Sequence, residues 1–279
     1  APVKKDIAVI GAGIAGLEAA WVAAARDHNV TVYGANAEVG GKTKLHAELR
    51  EGKHLSSIYD YQQLAGKQRG VNYVLDGPVD AATAVSLPAD TIILATGSTM
   101  MVPAFVPEEY VAEGFVLDLR SFIESMLERK TQEEGRVVLF DQDHTEMTYH
   151  SALRLAKLFS KVTIVTPRER LASDILLLNR QSIYQQLHDA HIEIITDCEP
   201  TDLDRLDDCV IEVHNVYNGD ITELDEIAAI TYSTPRLPND ELRAPLEAAG
   251  KNVVLVGDCY APNSVLAATR QGYAVAMNL

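Results

Sequence analysis

Ile7-Ala8-Val9-Ile10-Gly11-Ala12-Gly13-Ile14-Ala15-Gly16-Leu17-Glu18-Ala19-Ala20 decides how the rest of the chain is read. A short apolar run breaks into three glycines at G-x-G-x-x-G spacing, and an alanine-rich helical pattern follows. Each glycine has a physical task at such a turn. Gly11 permits the tight exit from the strand, Gly13 lets the backbone come close to a pyrophosphate, and Gly16 lets the helix pack close to the strand. The amides at the helix start, at Ile14 and Ala15, face the phosphate charge. A strand before the motif and a helix after it are the context that gives the pattern its meaning. The reading is dinucleotide or adenine-nucleotide binding; the alternative is a glycine-rich turn with no ligand.

Working outward, residues 6–10 are the first strand, 14–27 its helix and Asn29–Tyr33 the second parallel strand. The end of that second strand is where an acidic residue normally binds the adenosine ribose hydroxyls. Here it holds Gly34, then Ala35 and Asn36, so ribose recognition is weakened or passes to a backbone group or to Asn36. Glu38-Val39-Gly40-Gly41-Lys42-Thr43 follows. Gly40 and Gly41 bring the backbone beside a diphosphate a second time, and Lys42 either adds charge there or is a solvated surface lysine. Thr91–Ser98 is a buried strand running into the small-residue turn Ala95-Thr96-Gly97, at the strand end where α/β sheets bind ligands. Near the end, Asn252–Asp258 is a strand closing in Gly257-Asp258, and Ser264-Val265 opens an alanine-rich helix. Asp258 either accepts from ligand hydroxyls while the helix amides face an anion, or caps the next turn.

The intervening stretch contains a helix at 55–68, a strand at Val71–Leu75, a crossover at 99–118 and a helix at 119–129. Arg136–Phe140 opens a second strand–helix–strand unit, with a helix at 146–160, a strand at 162–166, a helix at 176–190 and a strand at 192–196. Asn218-Gly219 marks a hairpin, and Ile227–Tyr232 is a further strand. The second unit has no glycine between Gly135 and Gly219, and its turn carries Asp141, Asp143 and Glu146, read as a solvated acidic turn. A carboxylate near a phosphate costs roughly 1 kcal/mol at 4 Å in water and about 4 kcal/mol at an effective dielectric of 20. NAD(P)H is therefore not expected at the second site.

Composition narrows the function classes. The 279 residues carry a formal charge of −16, which repels nucleic acid and anionic membranes. No apolar run approaches the ~20 residues of a membrane span, and the first one is the nucleotide-binding strand, so neither a leader peptide nor a membrane partner is expected. Cys198, Cys209 and Cys259 are isolated, which excludes a C-x-x-C dithiol, an iron–sulfur run and a zinc knuckle and fits a cytoplasmic protein. Cys259 is expected as a small buried filler and Trp21 as core. Asp141-x-Asp143-His144 lacks further ligands for a metal site, and no catalytic acid, base or nucleophile stands out.

The order G-A-G-I-A-G, E-V-G-G-K, A-T-G-S, a second Rossmann-like unit, P-R-L-P-N and V-G-D resembles the flavoproteins with two dinucleotide-binding domains. That resemblance implies an α/β fold of two Rossmann-like three-layer domains, the second inserted in the first, as in glutathione-reductase-like FAD/NAD(P)-binding proteins. The expected boundaries are 1–105 with 235–279 for the FAD/ADP-binding domain and 106–234 for a degenerate NAD(P)-binding-like domain. V-V-L-F-D-Q-D-H, Asn179-Arg180-Gln181-Ser182-Ile183 and V-G-D-C-Y-A-P-N-S-V-L-A-A-T-R-Q-G bring the chain closer to the C-terminal half of the trimethylamine and histamine dehydrogenase group. It implies an FAD-binding, or alternatively ADP-binding, module of a flavin-dependent oxidoreductase. Its partners would be an FMN/iron–sulfur barrel domain or subunit and an electron-transfer protein. A non-catalytic ADP-binding docking subunit is the alternative.

Overall fold

A computed structural model describes residues 3–49 and 54–279. The chain divides into two units, Ala1–Thr99 with Arg236–Leu279, and Met100–Pro235.

The first unit opens with β1 (Asp6–Ile10), α1 (Ile14–Ala25), β2 (Asn29–Tyr33), α2 (Lys42–Leu49), α3 (Ser56–Gln68), β3 (Asn72–Val74), α4 (Ala81–Ser86), β4 (Thr91–Leu94) and β5 (Ser98–Met100). The second contains α5 (Glu108–Ala112), β6 (Leu117–Asp118), α6 (Leu119–Met126), β7 (Glu133–Asp141), α7 (Glu146–Leu155), β8 (Phe159–Val165), α8 (Leu177–Asp189), β9 (Glu193–Ile195), β10 (Cys198–Pro200), β11 (Ile211–Asn215), β12 (Ile221–Leu224) and β13 (Ile227–Ser233). The chain then returns to the first unit through β14 (Arg236–Pro238), α9 (Arg243–Ala248), β15 (Val253–Leu255) and α10 (Val265–Met277).

In the first unit the sheet order is β15-β4-β1-β2-β3, every pair parallel. A parallel sheet is buried on both faces, and β1 shows how its sequence meets that demand. Ile7 and Val9 face a cluster with Leu17, Ala20 and Ala23 of α1, while Ala8 and Ile10 face a second cluster with Ala84 and Leu246 from α4 and α9. The unit is therefore three-layered. Its helix layer is drawn tight by small residues: a Cβ on Gly272 of α10 would lie 2.4 Å from the carbonyl oxygen of Ala15 in α1. Leu17 is fully buried in that layer, worth about 1.5–3 kcal/mol of transfer free energy.

The second unit repeats the theme with the parallel order β6-β13-β7-β8-β9. An antiparallel sheet, β10-β11-β12, adds Ile211, Val213 and Leu224 to a core containing Val138, Phe140 and Ile230. Strand β7 begins three residues earlier than the apolar run Arg136–Phe140 indicates, because Gly135 at φ 104° lets the ladder shift register and continue to Glu133. Helix α7 stops at Leu155 instead of reaching 160, since buried Phe159 starts β8 by pairing with Glu133. The crossover 99–118 contains the short elements β5, α5 and β6. Four large apolar side chains of the second unit stand well out of the surface: Phe115, Tyr217, and Leu176 and Leu178 at the start of α8. No helix among the described residues is long and apolar enough to cross a membrane.

Candidate functional site

Three turns of the first unit meet at the carboxyl edge of its sheet: the one after β1, the Gly40-Gly41 turn between β2 and α2, and the one after β15. The glycine turn after β1 is held from within. The Gly11 amide donates to the Tyr33 carbonyl, and Gly11 has φ 116°, a left-handed value that an L side chain rarely adopts. A Cβ there would lie 2.2 Å from the Ala95 carbonyl oxygen, and one on Gly16 would lie 2.1 Å from the Gly11 oxygen. The fold itself thus requires two of the three glycines. Gly13 is different: at φ −78° its backbone suits any residue, and a Cβ would meet no atom of the surrounding chain within 4 Å.

Gly13 is also the N-cap of α1, with no side chain capping the helix and no acidic residue in its first turn. Geometry leaves the first amides of any helix without an intrahelical partner, so those at Ile14, Ala15 and Gly16 carry the positive end of the α1 dipole into the turn. Ile14 and Ala15 are themselves buried.

The second turn packs directly on the first. The Gly40 amide donates to the Ala12 carbonyl at 2.9 Å, Gly40 and Gly13 form an isolated parallel bridge, and Lys42 begins α2 immediately afterward. Thr43 is buried, its amide directed at the Gly40 carbonyl. The third turn, Gly257-Asp258-Cys259, is a single 3₁₀ turn, with β15 ending at Leu255. Gly257 abuts the methyl group of Ala15, which brings this turn to the same place.

Four donors converge on Asp258. Its Oδ2 takes Lys42 Nζ, Arg236 at 2.7 Å and the Ser98 hydroxyl at 2.9 Å, while Oδ1 takes the Asn263 amide at 3.1 Å. Burial on its own would raise the carboxyl, but the two cations and these bonds prevail and hold it below the usual carboxylate range. Arg236 and Ser98 enter the sequence reading only within P-R-L-P-N and A-T-G-S, with no site role; they start the paired strands β14 and β5 and reach Asp258 only through the fold. The Thr96 hydroxyl donates to the Asn239 carbonyl, and Gly97 at φ 81° offers its carbonyl to the Asn239 amide. Cys259 is fully buried beside Thr96, at 3.1 Å, and burial raises its thiol. Ser264 caps α10 by accepting from the Ala267 amide, with Val265 as the first helical residue.

At the end of β2, Gly34 is buried, and Ala35 and Asn36 are exposed. A Cβ at position 34 would lie 2.7 Å from Leu75 Cδ2 and 3.0 Å from the Ala12 methyl. The Gly34 and Asn36 carbonyls accept from the Gly77 and Asp76 amides of the loop after β3.

The turn after β7 in the second unit is not a solvated acidic turn. Asp141 is completely buried and accepts from the His144 amide at 3.0 Å and from the Tyr149 hydroxyl at 2.9 Å. The same Tyr149 oxygen accepts from the Ala172 amide at 2.6 Å, and His144 Nδ1 lies 3.2 Å away. The Gln142 and Asp143 amides both donate to the Ser233 carbonyl. Burial raises Asp141 and Tyr149 and lowers His144, pushing each toward its neutral form. Tyr149 fills the place beside the turn, and the Gln142, Asp143 and His144 amides are engaged within the protein. Among the described residues no group of three or more His, Cys, Asp or Glu side chains is arranged for a metal ion. Trp21 is half-buried, its ring edge-on to Tyr61 and its Nε1 donating to Glu18.

The pyridine nucleotide-disulphide oxidoreductase family model matches residues 5–140. An NADH oxidase of Thermoanaerobacter brockii is 28% identical over 280 residues, covering 100% of this chain and 42% of that protein. Histamine dehydrogenase from Rhizobium sp. 4-9 superimposes with a TM-score of 0.86 at 25% identity, over 99% of this chain and 44% of that one. The 6-hydroxypseudooxynicotine amine oxidase of Pseudomonas geniculata N1 gives 0.82 at 28% identity, over 98% and 42%. The chain thus spans less than half the length of these relatives. T. acidophilum thioredoxin reductase shares the fold from end to end, with a TM-score of 0.73 at 15% identity. The chain is similar to the pyridine nucleotide-disulphide oxidoreductases over residues 5–140 and to histamine dehydrogenase over nearly its whole length.

Proposed function

We propose that this chain is the FAD-binding half of a flavin-dependent oxidoreductase of the amine dehydrogenase type, exchanging electrons with a partner protein or an FMN-containing barrel and not with NAD(P)H. Gly13 carries the reading. Its neighbours Gly11 and Gly16 are required by packing, whereas the space beside Gly13 is open at the N-terminus of α1. An uncapped helix N-terminus at that point suits a diphosphate. The glycine turn and the α1 amides hold the diphosphate, Lys42 supplies the charge next to it, and the Ala95–Gly97 and Gly257-Asp258 turns close over the remainder. When bound, FAD supplies one- and two-electron redox chemistry; the protein supplies orientation and charge.

The second unit supports the exclusion of NAD(P)H through its turn, in which Asp141 and the Ser233 carbonyl engage the Gln142, Asp143 and His144 amides and Tyr149 packs beside them. The purified chain tests the proposal directly through its visible spectrum, the mass of whatever heat releases, and the response to NADH. A flavin spectrum with released FAD and no bleaching by NADH is expected. A colourless protein releasing ADP makes it a docking scaffold, and rapid bleaching by NADH returns the electron donor to a pyridine nucleotide.

A further inference from the structure

The end of β2 has no carboxylate for a nucleotide ribose, because Gly34 stands where the acidic residue of such a turn normally does. Its place is already filled: a Cβ on Gly34 would lie 2.7 Å from Leu75 Cδ2, at the exit of the neighbouring strand β3. The chain after Leu75 then folds back over the end of β2. The Gly34 amide donates to the Val74 carbonyl at 2.9 Å, the Gly77 amide to the Gly34 carbonyl at 3.3 Å and the Asp76 amide to the Asn36 carbonyl at 3.1 Å. Paired strands lie about 4.8 Å apart, and these bonds carry Asp76 across that spacing to the residues that follow Gly34. Asp76 is exposed and has φ 65°, a left-handed value that Asp tolerates. Two other carboxylates nearby in the chain are engaged elsewhere: Glu38 is ion-paired with Lys44, and Asp80 caps α4 by accepting from the Thr83 amide.

We infer that Asp76, at the exit of β3, is the acceptor for the adenosine ribose hydroxyls in place of position 34. This rests on the nucleotide-binding reading above. Leu75 supplies the volume of the missing side chain and Asp76 its charge, both from the adjacent strand. Position 34 itself is thereby closed to ribose recognition. A carboxylate accepts from the 2′ and 3′ hydroxyls but repels a phosphate on either of them. The residue that favours ADP therefore disfavours the 2′-phosphorylated form, and Asp76 sets which adenine nucleotides the first unit takes.

Calorimetric titration of the full chain with ADP, 2′,3′-dideoxy-ADP, 2′-phospho-ADP and inosine diphosphate tests this in wild type, Asp76→Asn and Asp76→Gly. Both replacements tolerate the left-handed backbone, so the loop keeps its course. Wild type is expected to prefer ADP over dideoxy-ADP by about threefold to thirtyfold, the range of one charge-assisted hydrogen bond at an exposed position. Asp76→Gly is expected to bring ADP down to the dideoxy-ADP affinity, which itself stays within about twofold of wild type. Both variants are expected to weaken ADP while tightening 2′-phospho-ADP, opposite signs that a damaged loop does not give. A wild-type chain that binds ADP and dideoxy-ADP equally overturns the inference, as does an Asp76→Gly protein in which both are weakened alike. A preference for ADP over inosine diphosphate that vanishes in Asp76→Gly, with the ribose preference intact, also overturns it and assigns Asp76 to the adenine amino group. A wild-type chain that binds none of the four nucleotides fails the functional proposal itself, whereas binding without a ribose preference fails this inference alone.

Discussion

Gly41 rests on Gly13: a Cβ built on Gly41 would stand 3.3 Å from the Gly13 Cα. The two glycine turns, 28 positions apart in the chain, therefore form one continuous stretch of bare backbone, and the glycines in it can be sorted by what needs them.

Gly13→Ala and Gly16→Ala separate ligand from fold. Gly16→Ala drives a methyl into the Gly11 oxygen and should cost about 1–3 kcal/mol of stability. Gly13→Ala meets no protein atom and should alter stability by less than about 1 kcal/mol, while weakening ADP or FAD about tenfold or more. Thermal melts with and without nucleotide read both; a Gly13→Ala protein that binds normally removes the central argument for the site.

Gly34→Asp should not restore ribose recognition. The new side chain collides with Leu75 and Ala12, and overpacking of this kind costs about 1–3 kcal/mol. Adding Leu75→Ala makes room, so the double variant is expected to regain stability over Gly34→Asp and to discriminate ADP from 2′-deoxy-ADP more strongly than wild type. Equal affinities for the two nucleotides in the double variant would show that position 34 is out of reach of the ribose.

The second unit should weaken in mild acid through His144. Burial holds its folded-state pKa below the ordinary 6.5, opposed by Asp141, Asp174 and Asp143 and reinforced by Arg168. The unfolded chain then binds the additional proton first. The stabilisation is complete above about pH 6.5 and is lost as pH falls toward the folded value. Asparagine is the suitable probe, since His144 sits at φ 52°, a left-handed conformation that Asn tolerates. His144→Asn should flatten the stability profile below pH 6.5; the same acid slope in the variant assigns it to another group.

Leu176 and Leu178, each 79% exposed, support nothing inside the chain. Leu176→Gln with Leu178→Gln should shift stability by less than about 0.5 kcal/mol while raising the protein concentration at which the chain begins to associate. A large loss of stability would mean that the leucines are packed in solution.

Much of the first unit was legible because each of its signals is local. The glycine turn, Asn29–Tyr33, Thr91–Leu94 and the final alanine-rich helix are runs whose period and punctuation lie within a few residues. Helix α2 was not, because K-T-K-L-H-A-E-L after a Gly-Gly pair has too weak an apolar stripe to stand out. Asp258 was visible, but Ser98 reaches it across 160 residues and Arg236 across 22, and only the sheet order brings them together. Asp141 was misplaced for another reason. A carboxylate in a polar turn normally faces water, and its burial depends on Tyr149, eight residues on, turning inward from α7. The buried set Thr148, Tyr149, Ala152 and Leu155 was the available hint that this tyrosine belonged to the interior.

The buried tyrosine also determines how easily the second unit could change its chemistry. A site closed by charge alone reopens when one residue is exchanged for a neutral one. This turn is closed by a side chain whose hydroxyl also braces Asp141 and the Ala172 backbone, so neutralising the acid leaves the space filled and removing the tyrosine strips two other segments of their support. On the proposed reading, fitting a pyridine nucleotide here would require more than one change, because the acid and the tyrosine brace each other. Design that seeks a pyridine-nucleotide donor for this chain will find it more readily at another surface than at this turn.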